Sequence, residues 1–505
     1  MKKIILFSFL IVFANSCTED WLDLDPIGQK FETNYYQSEE EIFSGLVSAY
    51  SMLQPKYYSG WSSYYFLANF PSDDSKVVGG GPSDRPEYHE IGEFNTVPTN
   101  PAVLQLWRRG FYGVYRANVV MANADPETSE KSVEYIAEAK FLRAYFYFEL
   151  VRFFGDVPLI TGTLNSDEFN QPRDPAEEVF EQIIKDLTEA IPDLPTKTAL
   201  GSNELYRATK GAARSLLGKA YLFMASPYYQ ETYDFPKSAN EYYGLAAGQF
   251  EQVIGGIYEL EDNYDDIWRY SHENGVESIF EIEYANINRG GDWTNGRVNG
   301  GNIDVTASGP RSISTDTLLA GYGFDMVSKD LIAAYEDEGD SVRKYGTAYG
   351  EDFLNEIGAS NWDKKEGYTG WFSKKRATWA HITSEDNPNW NFETNERIIR
   401  YADVLLMCAE AYLQSGTGDP LPLVNKVRDR ASLDDLGSVT MDDIKLERRL
   451  ELAMEGHRFF DLVRWGDAAS ELGEFGFVGG KHEVFPIPQS EIDNSNGKLE
   501  QNENY

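Results

Sequence analysis

Apolar residues recur at helical spacing in two separated stretches of the chain, and the pattern breaks down before and between them. In the first stretch, "PAVLQLWRRGFYGVYRANVVMANA" (101–124) is followed by "VEYIAEAKFLRAYFYFELVRFFGDVPL" (133–159). The second of these carries one stripe at Ala139, Leu142, Phe146 and Leu150 and another at Ala137, Phe141, Ala144, Phe148 and Val151. A helix with two apolar faces is sandwiched between neighbours, and Gly155 and Pro158 stop it. Further helices are predicted at about 175–190, 207–225 and 239–254, with Gly211, Ala212, Ala213, Gly218 and Ala220 small enough for close helix contact. The second stretch predicts helices at 397–415, 419–431 and 440–467, where Ala402, Ala409 and Ala411 stand beside Tyr401 and Tyr412. Helices in succession, joined by short turns, suggest tetratricopeptide-type pairs over about 101–255 and 397–467.

Residues 55–100 and 284–396 read differently. They are rich in Gly, Asn, Ser and Thr, with isolated aromatic residues and room for only short strands. Loops of that length in a compact fold usually have a task. Trp107, by contrast, lies on an amphipathic helix and is assigned to the core, and Cys408 inside "YADVLLMCAEAYL" is assigned to it as a small apolar residue.

Composition narrows the function classes. The 505 residues are 42% hydrophobic and 14% aromatic, with 32 Tyr and 10 Trp, and the formal net charge is −37. A field of that sign repels nucleic acid and anionic lipid, so neither is an expected partner of the body. At the N-terminus, Lys2 and Lys3 precede the apolar run "IILFSFLIVFA", and small residues Ala14 and Ser16 flank Asn15 before Cys17. Residues 1–16 therefore read as a signal peptide and Cys17 as a lipidation site, with an ordinary cleaved signal as the alternative because of Asn15. Residues 17–30 read as a tether.

No HExxH, nucleophile elbow, P-loop or CxxC pair is present, and the five histidines have no ligand spacing. Neither a metal nor a cofactor is expected. "DNYDDIW" (262–268) lacks the glycine and distal glutamate of a calcium loop and reads as a solvated acidic turn. The most charged segment, "ERRLELAMEGHRFFDLVRW" (447–465), places Arg448–Glu451, Glu455–Arg458, Arg458–Asp461 and Asp461–Arg464 at i,i+3. It reads as a framework helix whose pairs, if exposed, contribute about 0.3 kcal/mol each. Leu446, Leu450, Ala453, His457 and Phe460 form its apolar stripe, with His457 as a hydrogen-bonded core histidine.

Four motifs carry a family resemblance: "AEAKFLRAYFYFELVRFFGDVPL", "RYADVLLMCAEAYL", "ERRLELAMEGHRFFDLVRWG" and the tail "HEVFPIPQSEIDNSNGKLEQNENY". With the start "CTEDWLDLDP", they resemble the SusD/RagB family of Bacteroidetes outer-membrane lipoproteins across the mature chain. The resemblance implies a mainly α SusD-like fold over 17–505, in which tetratricopeptide-type helical pairs pack against an irregular, loop-rich ligand-binding half with a few short strands. It also implies a non-catalytic, surface-exposed glycan-binding lipoprotein that is anchored in the outer membrane and serves a SusC-like TonB-dependent transporter. A surface glycoside hydrolase and a peptide- or protein-binding helical scaffold remain the alternatives.

A glycan site needs aromatic planes for the C–H faces of sugar rings, rimmed by side chains that bond hydroxyls. "YYSGWSSYY" offers Trp61 and Tyr65 with Asp73 close behind, and "GGGPSDRPEYHE" offers Asp84, Arg85 and Tyr88. "RGGDWTNGR" offers Trp293 between glycines with Asn295 beside it, while Tyr322 and Trp371 are lesser candidates. The acidic balance suits a neutral ligand, and a β-glucan such as laminarin is the expected substrate.

Overall fold

A computed structural model describes residues 35–54, 63–286, 300–313, 315–385 and 388–505. Cys17, the leader and the tether lie outside the described residues. Helices Pro101–Asn123 and Glu130–Phe154 form on the two long stripes. Asn100 starts the first, its Oδ1 accepting from Ala102 N at 2.9 Å and Val103 N at 3.2 Å, and Pro101 fills a first-turn position that needs no N–H. Both stripes of the second are buried, and the helix ends at Gly155, whose φ is +70°. A Cβ at Gly110 would stand 2.6 Å from the Leu150 side chain, so the absence of a side chain lets the two helices touch.

Helices Ala176–Ala190, Lys210–Ala225, Ala239–Ile254 and Tyr401–Ser415 pack onto this pair in succession. Gly218 plays the same part as Gly110, admitting the Phe250 ring where a Cβ would meet it at 2.5 Å. Trp107 and Cys408 are core residues as expected, and burial pushes the Cys408 thiol up to about 12, which leaves it a protonated, inert apolar group.

Two predicted helices are corrected. Glu396–Arg400, expected to open the helix at 397–415, is instead strand β6, paired antiparallel with β2 (Ser278–Ile282) so that Ser278 faces Arg400 and Ile282 faces Glu396. Its β-branched pair Ile398–Ile399 fits a buried sheet better than a helix. The expected helix 440–467 is two helices, Met441–Glu451 and Arg458–Trp465, with Met454 and Gly456 between them at φ +61° and +76°. Carbonyls freed by that break are taken up from the loop half. Lys375 Nζ donates to Ala453 O at 2.8 Å, and Arg376 Nη1 donates to Met454 O at 3.0 Å.

The charges of 447–465 are corrected as well. Only Asp461–Arg464 (2.9 Å) forms among the four i,i+3 pairs named above, and the charged side chains bind across elements in the interior. Glu451 pairs with Arg343, Arg400 and Arg430, and Glu455 with Arg400 (2.8 Å) and Lys375 (2.7 Å). Arg448 holds Asp403 and Asp461, both at 2.9 Å, while Arg464 and the Trp465 indole share Glu410. Arg458 reaches Asp73 at 2.8 Å and Arg449 reaches Asp74 at 2.8 Å. This segment therefore joins the helical half to the loop half through buried ion pairs. His457 is neutral, its pKa lowered to about 3 by burial and the Lys219 charge, and its Nδ1 lies 3.3 Å from Lys219 Nζ.

In the loop half, β1 (Ser75–Val77), β3 (Asp325–Val327), β5 (Trp371–Ser373) and β4 (Ala348–Gly350) form an antiparallel sheet in that order. Met326 faces Phe372, and Gly350 faces Trp371. Val78, Ile313, Leu318, Met326 and Phe372 build a small core of their own against this sheet. That local core holds the surrounding loops in place.

Candidate functional site

The loop segments picked out by composition leave the body at one place. Gln54 Nε2 donates to Glu283 O at 2.6 Å, which ties the approach of segment 55–62 to that of segment 287–299. Ser63 caps helix Tyr64–Asn69, accepting from Phe66 N at 3.0 Å, and its hydroxyl also bonds Asp304 on helix Ile303–Ser308. The other end of that six-residue helix receives Tyr322, whose N–H donates to Thr306 O at 2.8 Å. Trp61, Trp293 and Asn295 themselves lie outside the described residues. Their flanking residues and Tyr322 meet on this single short helix.

Beside it stands a half-exposed polar rim. Arg311 Nη1 donates to Asp84 Oδ2 at 2.9 Å and to Tyr322 O at 3.0 Å, and its guanidinium carbon lies 5.7 Å from the Tyr322 ring centroid. Asp363 Oδ2 is 3.9 Å from Arg311 Nε. Asp84 also accepts from Gly80 N at 2.8 Å, which fixes the glycine turn against the rim. Gly81 there has φ +107° and open space around it, so backbone can approach a ligand without a side chain in the way. The Arg311, Asp84 and Asp363 side chains are 26%, 35% and 35% exposed, so each keeps unfilled hydrogen-bonding capacity facing solvent. Arg85 adjoins them on the same turn and pairs with Glu87 at 3.1 Å.

Three expected rim residues belong to the interior instead. Tyr88 is 0% exposed among Phe66, Phe70 and Phe324. Tyr65 is buried, its hydroxyl bonded to Asp325 and its ring covered by the Arg376 guanidinium. Asp73 is buried between Arg458 and Arg449. In each case a short polar spacing that looked like a rim is closed by a partner distant in sequence. The acidic turn at Asp265 and Asp266 is likewise paired, with Lys374 and Arg269. Trp371 lies on β5, and the loop between Ala359 and Gly370 separates it from the rim, with Asp363 of that loop facing Arg311. Arg311 and Asp363 were not anticipated. Arg311 in "SGPRSIS" is the one cation of an otherwise uncharged run, and that is the signal the sequence carries for it.

At the contact of Ser63 with Asp304, these two residues, Tyr65, Glu396 and His457 line a cavity of 60 Å³, with room for a few waters and none for a sugar. Burial, with the Glu396 charge, pushes Asp304 up to about 7 against the pull of Ser63 and Arg376. A raised acid binds its proton more tightly folded than unfolded, so this carboxyl takes stability away as pH climbs from the ordinary aspartate range towards 7. Asp304→Asn removes that dependence. Thermal unfolding at pH 5 and pH 8 should show the variant gaining about 2 kcal/mol on the parent between the two, and an unchanged difference would contradict it.

Comparison with known proteins fits this geometry. A family model described as the SusD family matches residues 343–483, and one described as starch-binding associating with outer membrane matches residues 20–222. The chain is 27% identical to the SusD-like protein P38 of Formosa agariphila, over the whole of both chains. It superimposes on the structure of a laminarin binding SusD-like protein with TM-score 0.82 and 33% identity, covering 93% of this chain and 100% of that one. It is also similar to surface glycan-binding protein A from Bacteroides thetaiotaomicron in complex with laminarihexaose, with TM-score 0.81, 27% identity and coverage of 92% and 99%.

Proposed function

The chain belongs to the SusD family, and we propose that it is a non-catalytic, cell-surface glycan-binding lipoprotein. It captures a neutral oligo- or polysaccharide, a β-glucan of the laminarin kind, and delivers it to a SusC-like TonB-dependent transporter. Cys17 carries the lipid that holds the protein at the outer membrane.

The observation that carries this reading is the Arg311–Asp84–Tyr322 rim at the shared base of the Trp61 and Trp293 loops. The tyrosine ring and the two tryptophans supply planes for sugar faces, while Arg311, Asp84, Asp363, Arg85 and Asn295 supply directional bonds for hydroxyls. A net charge of −37 favours an uncharged ligand over a polyanion. The 33% identity to a laminarin-binding relative supports the β-glucan choice.

Incubation with a panel of polysaccharides tests the reading. Laminarin should retard the protein in a native affinity gel, and no reducing ends should appear over hours. Released reducing ends would replace binding with hydrolysis as the function, and indifference to every glycan of the panel would turn the search to peptide ligands.

A further inference from the structure

On the other side of the Ala359–Gly370 loop, two clefts open next to one another. One, of 560 Å³, is lined by Tyr345, Tyr349, Phe353, Trp371 and Lys374, and the other, of 540 Å³, by Tyr270, Phe353, Lys374, Trp379 and His381. Sharing Phe353 and Lys374, they run on as one groove, and each half has the volume of a small-ligand site. We infer that this groove is a second glycan-binding site, one that holds an internal stretch of a polysaccharide chain.

Four observations support the assignment. Tyr345 and Tyr270 are 58% and 51% exposed, so neither ring is serving the core. Lys344 Nζ lies 5.2 Å from the Tyr345 centroid and 5.1 Å from that of Trp371, holding the two rings as a pair at one end of the groove. At the other end Trp379 is set by Phe353 edge-on, with centroids 6.2 Å apart, and His381 stands next to it. Between and around the rings lie Glu351, Asp352 and Glu393 as acceptors, with Lys374 fixed by Asp265 at 2.7 Å.

Aromatic planes interleaved with ionic groups are wrong for lipid, which requires a continuous apolar face, and the carboxylates repel a polyanion. They suit a neutral polymer that alternates C–H faces with hydroxyls. A groove, unlike a closed pocket, leaves both chain ends free. A polysaccharide engaging both this groove and the Arg311 rim gains avidity that a short oligosaccharide lacks.

The inference rests on the glycan-binding reading above, and the experiment separates the two. Tyr345→Ala/Tyr270→Ala alters two exposed rings and should fold with the parent's melting temperature. Its retention on polymeric laminarin in an affinity gel should fall at least about tenfold, the loss expected of two ring contacts. Retention equal to the parent's would overturn the second site. In the same gel, Arg311→Ala/Tyr322→Ala should also weaken retention. If that variant alone weakens, the rim stands and the groove is rejected; if the parent itself is not retained, the glycan reading and the groove fail together.

Discussion

Glu451→Ala will destabilise the protein by about 3–5 kcal/mol, a large share of the roughly 5–15 kcal/mol that holds a native chain folded. The residue is completely buried and sits between Arg343, Arg400 and Arg430. Burial alone would push its carboxyl up, but the three guanidiniums prevail and hold it far below the ordinary glutamate range. Removing it leaves three buried guanidiniums short of a carboxylate, with Asp340 and Glu447 remaining on Arg343, Glu277 and Glu455 on Arg400, and, among the described residues, Glu277 alone on Arg430, which is more damaging than the net worth of the pairs. A depressed acid stabilises above its ordinary range and loses that contribution as pH falls through and below it. Urea unfolding at pH 7 should therefore show the full deficit, and the gap to the parent should narrow in acid. A deficit under 1 kcal/mol at pH 7 would mean that the ion hub does not bind the two halves together.

Arg311→Ala should weaken glycan affinity about ten- to a hundredfold, the value of losing charge-assisted hydrogen bonds to a ligand. The same side chain fixes Asp84 and the Tyr322 carbonyl, so its removal also loosens the acceptor beside it. The fold should survive, because this arginine is 26% exposed and outside the buried hub. Arg311→Lys retains the charge and loses the planar fork, and should recover only part of the affinity.

The helical half was the legible part. Periodicity found Pro101–Asn123, Glu130–Phe154 and Ala239–Ile254, the second with its start set at 133 instead of 130, because each buries its own stripe and carries its own cap or stop. It failed at Glu396–Arg400 and at Gly456, where the outcome depends on partners more than a hundred or about eighty residues away: β2 in one case, Lys375 and Arg376 in the other. The charged segment 447–465 was rightly read as framework, yet its charges could not be seen as buried, since their partners Asp73, Arg343, Arg400 and Asp403 are scattered through the sequence. The same limit governs the site. Local composition selected Asp84 and Tyr322, which lie beside Arg311, and it equally selected Tyr88 and Asp73, which only packing from a distance withdraws from the surface. Arg311 joins Asp84 across 227 residues, a juxtaposition that no local pattern contains.

Capture of intact sugar by the Arg311 rim is the central claim, and calorimetric titration of laminarihexaose into the parent and into Arg311→Ala tests it most directly. The account predicts a binding isotherm for the parent, the hexasaccharide recovered uncleaved, and an affinity at least about tenfold weaker for the variant at equal melting temperature. Equal affinity in both proteins, or cleavage of the sugar by the parent, would contradict it.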